Sequence, residues 1–215
     1  MNTKLALLGA ESTGKTQLAQ ALAAHARALG HTVTVVPEYL REWCDQHGRT
    51  PRADEQMALA TEHARRIDQA TPSDWLVADT TPLMVAVYSD LLFNDTSLYP
   101  MALAQLQGFD HILVTGQDVP WVADGLQRDG PQVRGPVDHK LRAALDSQGL
   151  RYQVVYGLGP QRLAAAVRGM AVSSGLQRQM EDDGSTTPWQ CANCSDPDCE
   201  HRLFTQLVRQ RSLHR

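Results

Sequence analysis

The residues Gly9 to Thr16, read Gly-Ala-Glu-Ser-Thr-Gly-Lys-Thr, place two glycines around four variable positions and follow the second with a lysine and a hydroxyl. Glycines let backbone N–H groups converge on phosphate oxygens, Lys15 adds a mobile positive charge, and the Thr16 hydroxyl can ligate Mg²⁺. The spacing is the full Walker A pattern, and it assigns Gly9, Glu11, Ser12, Thr13, Gly14, Lys15, Thr16 and Gln17 to ATP. Such a loop needs an acid at the end of a neighbouring strand to hold the magnesium, directly or through water. Asp79, which closes the apolar run Trp75 to Asp79, is the candidate. The run Asp79-Thr80-Thr81-Pro82 also reads as a helix start, so an N-cap is the other reading of Asp79.

A second set of chemical residues lies near the C-terminus. Cys191, Cys194 and Cys199 with His201 place four soft or borderline ligands within eleven residues. In a reducing compartment this set favours a tetrahedral Cys3His zinc site of structural type, with an iron–sulfur use or plain thiols as the other readings.

The surrounding pattern states what must position these groups. Lys4 to Leu8 is an apolar strand feeding the loop, and Thr16 to Gly30 is an Ala/Leu-rich helix closed by glycine. Further strands are expected at Thr32 to Val36, Trp75 to Asp79, His111 to Thr115 and Tyr152 to Gly157. Helices are expected at Asp54 to Ala70, Pro82 to Leu92, Met101 to Gln107, Asp138 to Gln148 and Gln161 to Met170. Five strands alternating with helices imply a doubly wound α/β fold, a parallel five-stranded sheet of P-loop type, with ligands at the carboxyl ends of the strands. The domain is expected to span residues 1–172. Residues 173–188 lose apolar periodicity and read as a linker, and 189–215 form the zinc-binding tail with a C-terminal helix carrying Leu203, Phe204, Leu207 and Val208.

With 215 residues, 42% of them hydrophobic, the chain can bury one good-sized core. A net charge of −4 offers no basic excess to draw nucleic acid. The first apolar stretch is too short to span a bilayer and lacks a cleavage site, which gives a cytoplasmic expectation without a membrane partner.

Beyond the phosphate loop, the segments Val36 to Trp43 (VPEYLREW), Ala78 to Pro82 (ADTTP) and Asp118 to Gly130 (DVPWVADGLQRDG) resemble the nicotinamide riboside kinase domain of bacterial NAD-salvage proteins. That domain belongs to the P-loop kinase and AAA-type ATPase group, and the resemblance covers about Lys4 to Arg168. It implies ATP and Mg²⁺ as cofactors and a nucleoside-like acceptor. Multifunctional members carry an adenylyltransferase domain before the kinase, whereas this sequence opens at the phosphate-loop strand and is not expected to make NAD by itself.

Glu38 follows the second strand, where a carboxylate can accept the proton of an attacking hydroxyl, and a Pro-Glu segment of deoxynucleoside kinases is similar. Its other reading is a surface pair with Arg41. Arg41, Arg128 and Arg134 can reach phosphate charge, and the glycines and prolines from Gly125 to Pro136 suit a lid. The alternative for each arginine is a solvated surface position. A pyridinium substrate calls for aromatic faces and carboxylates, for which Tyr39, Trp43, Tyr88, Trp121, Glu42 and Asp124 are candidates, although aromatics also build cores.

These readings converge on a kinase using Lys15, Arg128 or Arg134 on the transferred charge, and Glu38 or Asp79 as general base, to convert nicotinamide riboside to its mononucleotide. Another nucleoside kinase is the neighbouring alternative. A regulatory ATP switch acting through the tail, by self-association or a protein partner, is the alternative of a different class.

Overall fold

The apolar run after the N-terminus forms strand β1, Thr3–Leu8, and its residues alternate between two cores. Leu5 and Leu7 pack with one cluster, Ala6 and Leu8 with another. A strand buried on both faces belongs in the middle of a parallel sheet covered by helices on each side. In the computed structural model, which describes residues 2–122 and 130–182, that is where it lies. Strands β2 (Val33–Val36), β3 (Trp75–Asp79), β4 (His111–Thr115) and β5 (Gln153–Val155) complete a five-stranded parallel sheet in the order β2-β3-β1-β4-β5.

Helix α1 (Lys15–Ala28) buries Leu18, Ala19, Leu22, Ala23 and Ala26, a stripe at helical spacing that packs on the Leu5 and Leu7 face. Helix α7 (Gly159–Asp182) covers the same face through Ala166 and Met170. The other face receives α2 (Tyr39–His47), α3 (Gln56–Asp68), α4 (Pro82–Phe93), α5 (Tyr99–Leu106) and α6 (Arg134–Ser147). Gly30 closes α1 at φ +88°: its own N–H bonds Arg27 O, and the N–H of His31 bonds Ala26 O. This pair of bonds satisfies carbonyls that the helix end leaves open. No helix among the described residues is long and apolar enough to cross a membrane.

The architecture agrees with the fold expected from the sequence, and three elements differ from it. Helix α2 was not expected; only Trp43 and Cys44 of its nine residues are buried, so its apolar signal is short. Helix α6 starts at Arg134, directly after a 3-10 turn at Pro131–Val133, so Gly135 and Pro136 lie in its first turn. Proline fits there because first-turn N–H groups have no intrahelical partner. Helix α7 continues through Asp182, ten residues into the segment read as a linker. The chain divides into two units within α7, Met1–Ser173 and Ser174–Arg215, and the sheet lies in the first.

His63 of α3 is 1% exposed, and its Nε2 has no hydrogen-bond partner among the described residues. Burial, with Arg66 adding to it, pulls its pKa from 6.5 down to about 4. The folded protein therefore holds this ring neutral while the unfolded chain protonates it below pH 6.5. Stability is fully present above pH 6.5 and falls as the pH drops toward 4, by about 2 kcal/mol at pH 5. Denaturant titrations at pH 7 and pH 5 should show this loss in the wild type and a smaller one in His63→Leu. Equal losses in both would contradict the buried neutral imidazole.

Candidate active site

The turn that leaves β1 is shaped by a close approach. Gly9, at φ +140°, passes so near the end of β4 that a Cβ there would collide with Thr115 Oγ1. The same Thr115 hydroxyl lies 2.7 Å from Thr13 Oγ1, which donates to Ala10 O at 2.7 Å. Ser12 (φ +55°) and Gly14 (φ +77°) are left-handed, and Gly14 is the N-cap of α1. Alternation of this kind turns successive N–H groups into a concave anion site at a helix N-terminus. The Lys15 ammonium donates to Ala10 O at 2.8 Å, within the same loop.

Two residues that the sequence reading missed brace this loop. Arg162, buried in the first turn of α7, donates to Thr13 O and pairs with Asp118 at 2.7 Å. Asp118 also accepts from Gly157 N at 2.6 Å, joining the segments that follow β4 and β5. Asp118 opens the segment Asp118 to Gly130 but was not singled out within it, and Arg162 belongs to no local motif and lies 149 residues from the carbonyl it holds.

Parallel register sets Asp79 level with Leu7, one strand away from the start of the phosphate loop. Thr81, not Asp79, caps α4, its side chain accepting from Leu83 N at 3.3 Å. Asp79 is 3% exposed, and its Oδ1 has no hydrogen-bond partner among the described residues. Burial raises its pKa and nearby Glu38 adds to the rise, while a Thr16 hydrogen bond, Lys15 and Arg41 oppose it. A buried carboxylate with an orphaned oxygen beside the Thr16 hydroxyl fits the donor set that a magnesium ion and its waters would take.

A cavity of about 890 Å³ opens from the phosphate loop toward α2 and α4. Its volume suits a small-molecule site. Glu38 and Arg41 line it beside Lys15 and Thr16, and they pair with each other at 3.4 Å. Arg52, Gln56, Tyr88 and Phe93 also line it, and of these only Tyr88 was a sequence candidate. Cys44 also lines the cavity, and burial pushes its thiol pKa up to about 11, so it is protonated and no nucleophile at neutral pH.

The other aromatic candidates lie elsewhere. Trp43 packs in the core, stacked on His47 at 3.9 Å and with the Arg49 guanidinium 4.9 Å above it. Tyr39 faces the Arg66 guanidinium at 4.1 Å, and Glu42 is held by the same arginine at 3.0 Å. Trp121 donates its indole N–H to Glu11 at 3.2 Å. Arg134 is buried and donates Nη1 to Val119 O at 2.9 Å, while its Nε and Nη2 have no partner among the described residues. Asp124, Arg128, Cys191, Cys194, Cys199 and His201 lie outside the described residues.

A phosphate-binding loop between the central strand and its helix, at the carboxyl edge of a 2-3-1-4-5 parallel sheet, defines the P-loop class of nucleotide-binding domains. Residues 4–162 match the family model described as an AAA domain, and the chain belongs to that family. No curated protein matches the sequence significantly. Among solved structures, the NadR protein in complex with NR is similar at 20% identity and a TM-score of 0.67, over 81% of this chain and 52% of that one. NadR in complex with NAD and AMP-PNP is similar at 17% identity and a TM-score of 0.59, over 87% and 52% respectively. A deoxyadenosine kinase from M. mycoides with bound dCTP is similar at 11% identity and a TM-score of 0.50, over 79% of this chain and 100% of that one. The chain thus spans about half the length of the NadR structures it resembles.

The close approach at Gly9 has a measurable cost. Gly9→Ala should destabilise the protein by about 2–5 kcal/mol, from left-handed strain and collision with Thr115 together. Gly30→Ala, at φ +88° with open space around the added methyl, should cost only about 1 kcal/mol. Urea midpoints compare the two, and a Gly9→Ala protein as stable as Gly30→Ala would contradict the packing of the loop.

Proposed function

We propose that the chain is an ATP-dependent kinase that passes a γ-phosphate to the hydroxyl of a nucleoside-like small molecule, with nicotinamide riboside as the particular acceptor and its mononucleotide as product. The observation that carries this reading is a single cavity lined both by the phosphate loop and by Glu38, with room beyond for an acceptor. The similarity of fold to NadR, solved with NR and with AMP-PNP, supports the choice of ligands.

In this reading Gly14, Lys15 and the left-handed backbone around Ser12 hold the triphosphate. Thr16 and Asp79 would hold magnesium, which when bound would neutralise charge on the nucleotide's phosphates. Glu38 lines the open cavity and takes the proton of the acceptor hydroxyl as its oxygen attacks phosphorus. Asp79 is the less suitable base, because it is buried and carries the orphaned oxygen that fits the metal. Arg134, whose Nε and Nη2 have no partner among the described residues, is assigned to supply positive charge for the phosphoryl group in flight. We further propose that residues 189–215 bind a structural zinc through Cys191, Cys194, Cys199 and His201.

Acceptor-stimulated ADP release separates the assignments. Lys15→Ala should abolish turnover. Glu38→Gln should keep ATP affinity and lower transfer by about 100-fold, the scale of a lost general base. Unchanged transfer in Glu38→Gln would remove the base role from Glu38, and near wild-type rates in Lys15→Ala would remove the loop from the mechanism. Metal analysis of the purified chain should find about one zinc per molecule, lost when Cys191 and Cys194 are both replaced by serine. A metal-free wild type that folds normally would refute the tail site.

A further inference from the structure

A carboxylate inside an anion-binding loop is a liability, because it repels the phosphates the loop exists to hold. Glu11 occupies such a position and is 7% exposed. Its Oε1 accepts two hydrogen bonds, one from Trp121 Nε1 at 3.2 Å and one from Gly130 N at 3.1 Å. The adjacent Ser12 repeats the pattern: its hydroxyl accepts from Val122 N at 2.8 Å and donates to Val122 O at 3.3 Å. Two consecutive residues of the phosphate loop thus grip Trp121 and Val122 on one side and Gly130 on the other.

From Gly130 the chain passes through the turn Pro131–Val133 into Arg134, which bonds back to Val119 O while Gln117 donates to Arg134 O at 3.0 Å. We propose that Glu11 is a positioning residue: it clasps Trp121 and Gly130 to the phosphate loop, and through Gly130 fixes the start of the turn that leads into Arg134. Charge-assisted bonds from two donors hold the carboxylate in that role. Trp121 then acts through its indole N–H on the loop, and not as a face for the acceptor. The role rests on the nucleotide-binding reading of the loop and is independent of the identity of the acceptor.

The clasp is tested on the full chain by amide hydrogen exchange at Gly130 without nucleotide, and by ATP titration, in Glu11→Ala, Glu11→Gln, Trp121→Phe and the Glu11→Ala, Trp121→Phe double variant. Glu11→Ala should speed Gly130 exchange by about tenfold or more, and Glu11→Gln, which keeps an accepting oxygen, should stay near wild type. ATP affinity should fall about tenfold in Glu11→Ala and within about threefold in Glu11→Gln, with the double variant no weaker than Glu11→Ala alone. Unchanged Gly130 exchange in Glu11→Ala would overturn the clasp. So would additive losses in the double variant, or a Glu11→Gln as impaired as Glu11→Ala, which would assign the carboxylate charge to the ligand itself. A wild type that binds no ATP would refute the nucleotide reading, and Gly130 exchange would still decide the clasp.

Discussion

The structure depends on the way the chain leaves β1 pressed against the end of β4. Gly9 is there because Thr115 leaves no room for a side chain, and the Thr13 and Thr115 hydroxyls then close the loop upon itself. Once that turn is made, Gly14 starts α1 with its N–H groups facing the crevice, and the parallel register places Asp79 at the same level on the neighbouring strand. Strand pairing therefore positions the carboxylate of Asp79, and a single tight contact positions the turn after β1. Long-range pairings of this kind fix geometry more firmly than any loop could.

Several charged groups are buried in fixed positions before any ligand arrives. Among the described residues Asp79 is buried with one oxygen unpaired and Arg134 is buried with two nitrogens unpaired, and Arg162 donates to the loop carbonyl of Thr13 with Asp118 as its counter-charge. Unsatisfied buried polar atoms are costly in a folded protein, and they persist where a ligand supplies the missing partners. Electrostatic groups held in place before the reaction need no reorganisation during it, which is the largest advantage a site can offer to phosphoryl transfer.

Much of this was legible in the sequence because it is written locally. The phosphate loop, the acid ending β3 and the five apolar strands each carry their signal within a few residues, and β3 and β4 have the bounds their composition implies. What was not legible depends on contacts across the chain. Arg162 and Asp118 meet Thr13 and Gly157 only after folding, and Glu11 meets partners 110 and 119 residues away. Trp43 could not be told from a ligand platform in a charged segment, because α2 is short and its apolar stripe is brief. The turn at Pro131–Val133 was hidden by prolines and glycines that suit a lid and a helix start equally well.

The most direct test of the account is transfer of labelled γ-phosphate from ATP to acceptor, with nicotinamide riboside and a panel of common nucleosides, and identification of the product by mass. The account predicts a singly phosphorylated nucleoside, formed fastest with nicotinamide riboside and in step with ADP release. ATP bound, and hydrolysed no faster with any acceptor, with no phosphorylated product, would contradict it.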